Sequence, residues 1–86
     1  MRYFFINWVL HSDGNWTEIV HCADHLTFDN KSTSCVILDF KSNRVVKAIT
    51  PNGALNPNWD IIKPYFENKY REVIQELEQA NNPALK

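Results

Sequence analysis

A strong turn between two apolar runs is the feature that most constrains this chain. Residues 2–22 read RYFFINWVLH-SDGN-WTEIVHC. Asp13-Gly14 suits a two-residue type I′ turn, because glycine takes positive φ without steric cost and aspartate takes it better than most residues. With those two residues as the loop, Leu10 faces Thr17, Trp8 faces Ile19, Ile6 faces His21 and Phe4 faces Ala23. Side chains alternate along a strand, so these pairs line one face. The other face carries Tyr3, Phe5, Asn7, Val9, Trp16, Glu18, Val20 and Cys22. A hairpin half in water should be polar on one side, whereas this one is apolar on both. A second buried surface is therefore expected.

The rest of the chain supplies material to cover the first surface. Residues 23–34 are rich in Asp, Asn, Ser and Thr and read as a loop, with room for a short edge strand at 26–28. Residues 35–40 form a β-rich apolar run and residues 44–50 return as a further strand, with Asn43 placed to take a left-handed turn conformation. Two prolines and a glycine in residues 51–58 divide the strand half from a helical half. Asn58 can cap a short turn over residues 59–63, with Asp60 favourable to the helix dipole. Pro64 fits a first helical position, so the main helix is predicted over residues 64–80. Phe66, Tyr70, Val73, Leu77 and Ala80 form its apolar stripe, flanked by Ile62 and Ile74, and Glu67 and Arg71 make an i,i+4 pair. The stripe is expected across the sheet face that carries Phe4, Ile6, Trp8 and Leu10.

The predicted fold is α+β: a small antiparallel sheet of about four strands in two hairpins, followed by one C-terminal helix packed on one face. Eighty-six residues suit a single domain over 1–80 with a flexible tail at 81–86. A chain this short buries about 60–65% of its unfolded surface, and its eleven aromatic residues (three Trp, three Tyr, five Phe) fill the small core.

Nine basic and ten acidic residues leave a net charge of −1, which denies the domain the positive field that nucleic acid or an anionic membrane selects. No apolar stretch approaches the roughly 20 residues of a membrane span. Residues 3–10 match a signal-peptide core in length, but only Arg2 precedes them and a turn follows directly. The two cysteines are too few for a disulfide framework, and a cytoplasmic protein with reduced thiols is expected.

Three constellations have residue types suited to chemistry. Cys22, His25 and Cys35, with His21 or His11 as a fourth ligand, are the right types for zinc, but their spacing matches no regular site, so no metal or other cofactor is expected. A Cys22–His25 nucleophile pair lacks an oxyanion hole or any group to lower the thiol pKa. Gly14 and Gly53 stand alone and build no phosphate loop. Among the carboxylates, Asp39 in the middle of an apolar run is the oddest, and the solvent face of the sheet is its expected place.

The leading functional expectation is a non-catalytic protein-interaction or regulatory module. It would self-associate or dock on a protein partner through Tyr3, Phe5, Val9, Trp16 and Val20, unless the loop at 23–34 folds back over that face. The alternative is a single-stranded nucleic-acid binder, with Tyr3, Phe5 and Trp16 as stacking platforms beside Lys41, Arg44 and Lys47. A small metal-binding or thiol enzyme comes third.

Overall fold

The computed structural model describes residues 1–26 and 34–81. Five strands form one antiparallel sheet: β1 (Tyr3–Leu10), β2 (Trp16–Ala23), β3 (Ser34–Asp39), β4 (Arg44–Thr50) and β5 (Gly53–Ala54), in the spatial order β2-β1-β3-β4-β5. Two helices follow, α1 (Trp59–Glu67) and α2 (Arg71–Ala80). The fold is α+β with an antiparallel sheet, but with five strands rather than four and two helices rather than one. A strand at 26–28 turns on positions 27 and 28, and the tail on positions beyond 81, all outside the described residues.

The first hairpin forms where the sequence pattern predicts it, with a different loop. Gly14 N–H donates to His11 C=O at 3.0 Å and His11 N–H to Asn15 C=O at 2.8 Å, while Gly14 sits at φ +86°. This is a type I turn closed by a glycine bulge, with a three-residue loop in place of the two-residue type I′ loop. The Asp13 carboxylate favours the wider form by accepting the Asn15 N–H at 2.9 Å. Leu10 accordingly pairs with Trp16, Trp8 with Glu18, Ile6 with Val20 and Phe4 with Cys22. A one-residue change of register turns every β2 side chain to the opposite face. Val20 and Cys22 now pack with Phe4 and Ile6 under the helices.

β1 and β3 lie inside the sheet and are buried on both sides, which is why their sequences, FFI and CVIL, do not alternate. On the helix-covered face, Phe4, Ile6, Val36 and Leu38 meet Ile62, Phe66, Ile74 and Leu77. On the opposite face, Tyr3, Phe5, Cys35 and Ile37 form a second cluster, with Ala23 and Val46 against it. A register shift in β4 beside Ile37 gives Val46 its place there. Asn43 closes the second hairpin at φ +52°, as its side chain permits.

α1 begins at Asn58, whose side-chain oxygen accepts the Asp60 N–H at 2.9 Å. Pro64 lies inside this helix, not at the start of the next. It removes only the bond to the carbonyl of Asp60, a residue on the exposed first turn where water can replace it. The chain then leaves helical geometry at Tyr70 (φ −119°, ψ 38°), with the Lys69 and Tyr70 N–H groups both bonded to Phe66 C=O at 3.1 and 2.8 Å. Tyr70 is held there by its hydroxyl, which donates to Glu18 on β2. The break thus falls at a contact from the sheet, in a segment whose local pattern favours one helix. Lys63 joins the two pieces, paired with Glu67 at 3.4 Å and with Glu78 of α2. Glu67 therefore pairs within α1, and Arg71 bonds Asn68 instead. The apolar stripe runs through Ile62, Phe66, Ile74 and Leu77, while Ala80 is exposed.

Candidate functional site

The structure separates the residues expected to share one interaction face. Tyr3 and Phe5 are 7% and 1% exposed and belong to the second core cluster. Phe5 is stacked on the His21 ring, with centroids 4.7 Å apart and planes 4° from parallel. Val9 is half-buried on that same side. Trp16 and Val20 are on the other side, Val20 packed against the helix-covered core. Only Trp16, at 42%, is well exposed. The shift of register explains the split, because it moved the whole of β2 to the other face. Whether the loop at 23–34 covers Phe5 turns on positions 27–33, outside the described residues.

The same shift separates the expected stacking platform, since Tyr3 and Phe5 are buried and Trp16 faces the other way. Lys41 and Arg44 are exposed at the second hairpin, and Lys47 is half-buried opposite Ile37. The sulfur ligands also diverge. Cys22 is half-buried on the helix-covered face, Cys35 is buried on the opposite one, and His25 is exposed. Both thiols are free, and burial pushes that of Cys22 up, away from a reactive thiolate. Among the described residues no group of three or more His, Cys, Asp or Glu converges to hold a metal ion. None of the described helices is long and apolar enough to cross a membrane.

Asp39 is not on the solvent face. It is 1% exposed, and its carboxylate takes two bonds from Arg2, at 2.9 and 2.8 Å, two from the Lys41 and Ser42 N–H groups, and one from the Ser42 hydroxyl. The Arg2 guanidinium holds this carboxyl well below the usual carboxylate range, with the Ser42 and Lys41 donors adding to it. Every lone pair has a donor, so Asp39 pins the second hairpin to the start of β1 and leaves no free base.

Two exposed features lie on or beside the first hairpin. The first is a cleft of about 390 Å³ on the helix side, lined by Trp8, Glu18, Tyr65, Phe66, Lys69, Tyr70 and the turn from β4 to β5. Its polar groups satisfy one another: Tyr70 donates to Glu18, and Lys69 stands 3.4 Å from the same carboxylate and 5.2 Å from the Tyr70 ring centre. Burial, with the Glu18 carboxylate, pushes the Tyr70 hydroxyl pKa up. Lys69, beside Tyr70 and Glu18, is also pushed up. A phenol kept protonated and an amine kept charged make hydrogen-bond donors, not bases.

The second is the outer part of the first hairpin. Leu10 and Trp16 stand opposite each other at its end, 57% and 42% exposed. Ile19, on the reverse face of the same strand, is 47% exposed. Sequence reasoning missed Ile19 because the shorter loop placed it on the face destined for the helix; Leu10 lies on that face with either loop but stays 57% exposed. Asn15, following Asp-Gly and able to hydrogen-bond back to Asp13, was the signal that could have found Ile19. No family model, curated protein or solved structure matches the chain.

Proposed function

We propose that this chain is a non-catalytic protein-interaction module that engages its partner through the outer side of the first hairpin. The observation that carries this is the placement of large apolar side chains on both faces of the hairpin's outer part: Leu10 and Trp16 on one, Ile19 on the other. Tryptophan is the residue type most enriched among those that dominate binding energy. Exposed apolar groups on two faces of one hairpin suit a partner that closes on it from its edge. Of the five residues expected from the sequence, Trp16 is well exposed on this surface, Tyr3 and Phe5 are buried in the core, and Val9 and Val20 are half-buried.

The test is Trp16→Asp, followed by native mass spectrometry and thermal unfolding of both forms. The proposal expects the wild type to form a complex, with itself or another protein, that the variant loses while unfolding cooperatively at the midpoint of the dilute, dissociated wild type. A variant that unfolds would place Trp16 in the core, and one that assembles as the wild type does would remove the hairpin from the interface.

A further inference from the structure

We infer that the partner is a second copy of this chain, joined edge to edge through β2 in antiparallel orientation about a twofold axis at Ile19. This rests on the hairpin being the interaction surface, and adds the partner and the register.

The backbone settles which groups are available. The bonds from His11 N–H to Asn15 and from Phe40 N–H to Arg2 set the alternation in β1: its odd-numbered residues bond β2 and its even-numbered ones bond β3. In β2 the peptide groups of Thr17, Ile19 and His21 therefore face β1, and those of Trp16, Glu18, Val20 and Cys22 face outward. Among the described residues nothing pairs with that outer edge. The opposite edge is blunted in the usual ways, since β5 has two residues, one of them glycine, with Pro51 and Pro57 close by. β2 has none of these devices. It is eight residues long, pairs without a register shift, and carries no proline, no lysine and a single formal charge.

Charge and hydrogen bonding then select the register. A twofold at Glu18 would set two carboxylates directly opposite, which is destabilising. A twofold at Val20 would push Trp16 opposite Asp24, beyond the strand. A twofold at Ile19 pairs Trp16 with Cys22 of the second copy and Glu18 with Val20 of the second copy, both as hydrogen-bonded pairs. About eight new backbone bonds result, two for each outward-facing residue. On the reverse face Ile19 meets its own copy and Thr17 meets His21 of the second copy, so no charged side chain lies opposite a like one. Each Glu18 is already held by Tyr70 and Lys69 of its own chain. The surface is self-complementary, as a twofold contact must be.

Two readouts test this on the full chain. Ile19 would occupy a non-hydrogen-bonded pair at the axis, with Cα atoms about 4.5 Å apart and so within disulfide reach. Ile19→Cys in a Cys22→Ser background should oxidise to a covalent dimer. Thr17→Cys in that background should give at least about tenfold less, because its opposite residue is His21. Amide hydrogen exchange should show Glu18 and Val20 protected only as concentration rises, with Ile19 protected throughout.

Preferential cross-linking through Thr17→Cys would overturn the register. Protection of Glu18 and Val20 that ignores concentration would overturn the pairing, by showing the edge covered within one chain. A monomer with freely exchanging Glu18 and Val20 amides would overturn the self-pairing while leaving the hairpin open to a different protein, which the Trp16→Asp comparison reads separately.

Discussion

The Tyr70 hydroxyl donates to the Glu18 carboxylate across 52 positions of sequence, at the point where the helical half of the chain bends. It ties the junction of α1 and α2 to the edge strand, and Lys69 adds its charge to the same carboxylate. With the donor removed, the junction keeps its packing of the Tyr70 ring on Phe4 and Phe66 but loses its anchor.

Tyr70→Phe should therefore destabilise the fold by about 1 kcal/mol, the worth of a partly exposed hydrogen bond to a charged group. Chemical denaturation measures it. A Glu18→Gln, Tyr70→Phe double variant should cost less than the sum of the two single changes, since both delete one interaction. Strict additivity would show the two side chains to be uncoupled.

Asp39 should make stability depend on acid. Its folded pKa lies below the unfolded value of about 3.9. Its contribution is thus fully present above about pH 4 and is lost as pH falls through the folded value. Asp39→Asn should cost about 3 kcal/mol at neutral pH, because the Arg2 guanidinium and the Ser42 donors lose their charged acceptor. The same variant should show a flatter loss of stability below pH 4. Unfolding midpoints at pH 7 and pH 3 decide it, and equal acid sensitivity in both forms would remove Asp39 as the cause.

Leu77→Ala should cost about 2–5 kcal/mol, as a truncation of a fully buried side chain. That is a large part of what so small a domain has to spare. Ala80→Ser, on the exposed end of α2, should lie within about 0.5 kcal/mol of the wild type. Similar losses at the two positions would misplace the apolar stripe.

Gly14 stands at φ +86° with open space where a side chain would begin, so substitution there meets backbone strain alone. Gly14→Ala should cost about 1 kcal/mol and Gly14→Asn less, because asparagine tolerates the left-handed region. Equal costs would point to a steric clash instead.

Much of the fold is legible in the chain because it is decided locally. The Asp-Gly turn, the left-handed Asn43, the Asn58 cap, the two hairpins and the amphipathic pattern after residue 58 all act between near neighbours. Local pattern alone establishes that strands come first, that a helical half follows, and that both faces of β1 are apolar.

Three decisions belonged to the tertiary structure. Asp13-Gly14 is compatible with a two-residue or a three-residue loop; the Asp13–Asn15 bond favours the wider one locally, and packing of Val20 and Cys22 under the helices reinforces a choice that sets the face of every β2 residue. The single helical pattern is cut at Tyr70, where Glu18, remote in sequence, takes its hydroxyl. Asp39 is buried because Arg2, 37 positions away, supplies the charge that makes burial tolerable. For the loop and the helix the local alternatives differ by about 1 kcal/mol or less, and contacts with residues far along the chain outweigh that difference. The faces taken by Trp16 and Ile19 follow from that same choice of loop.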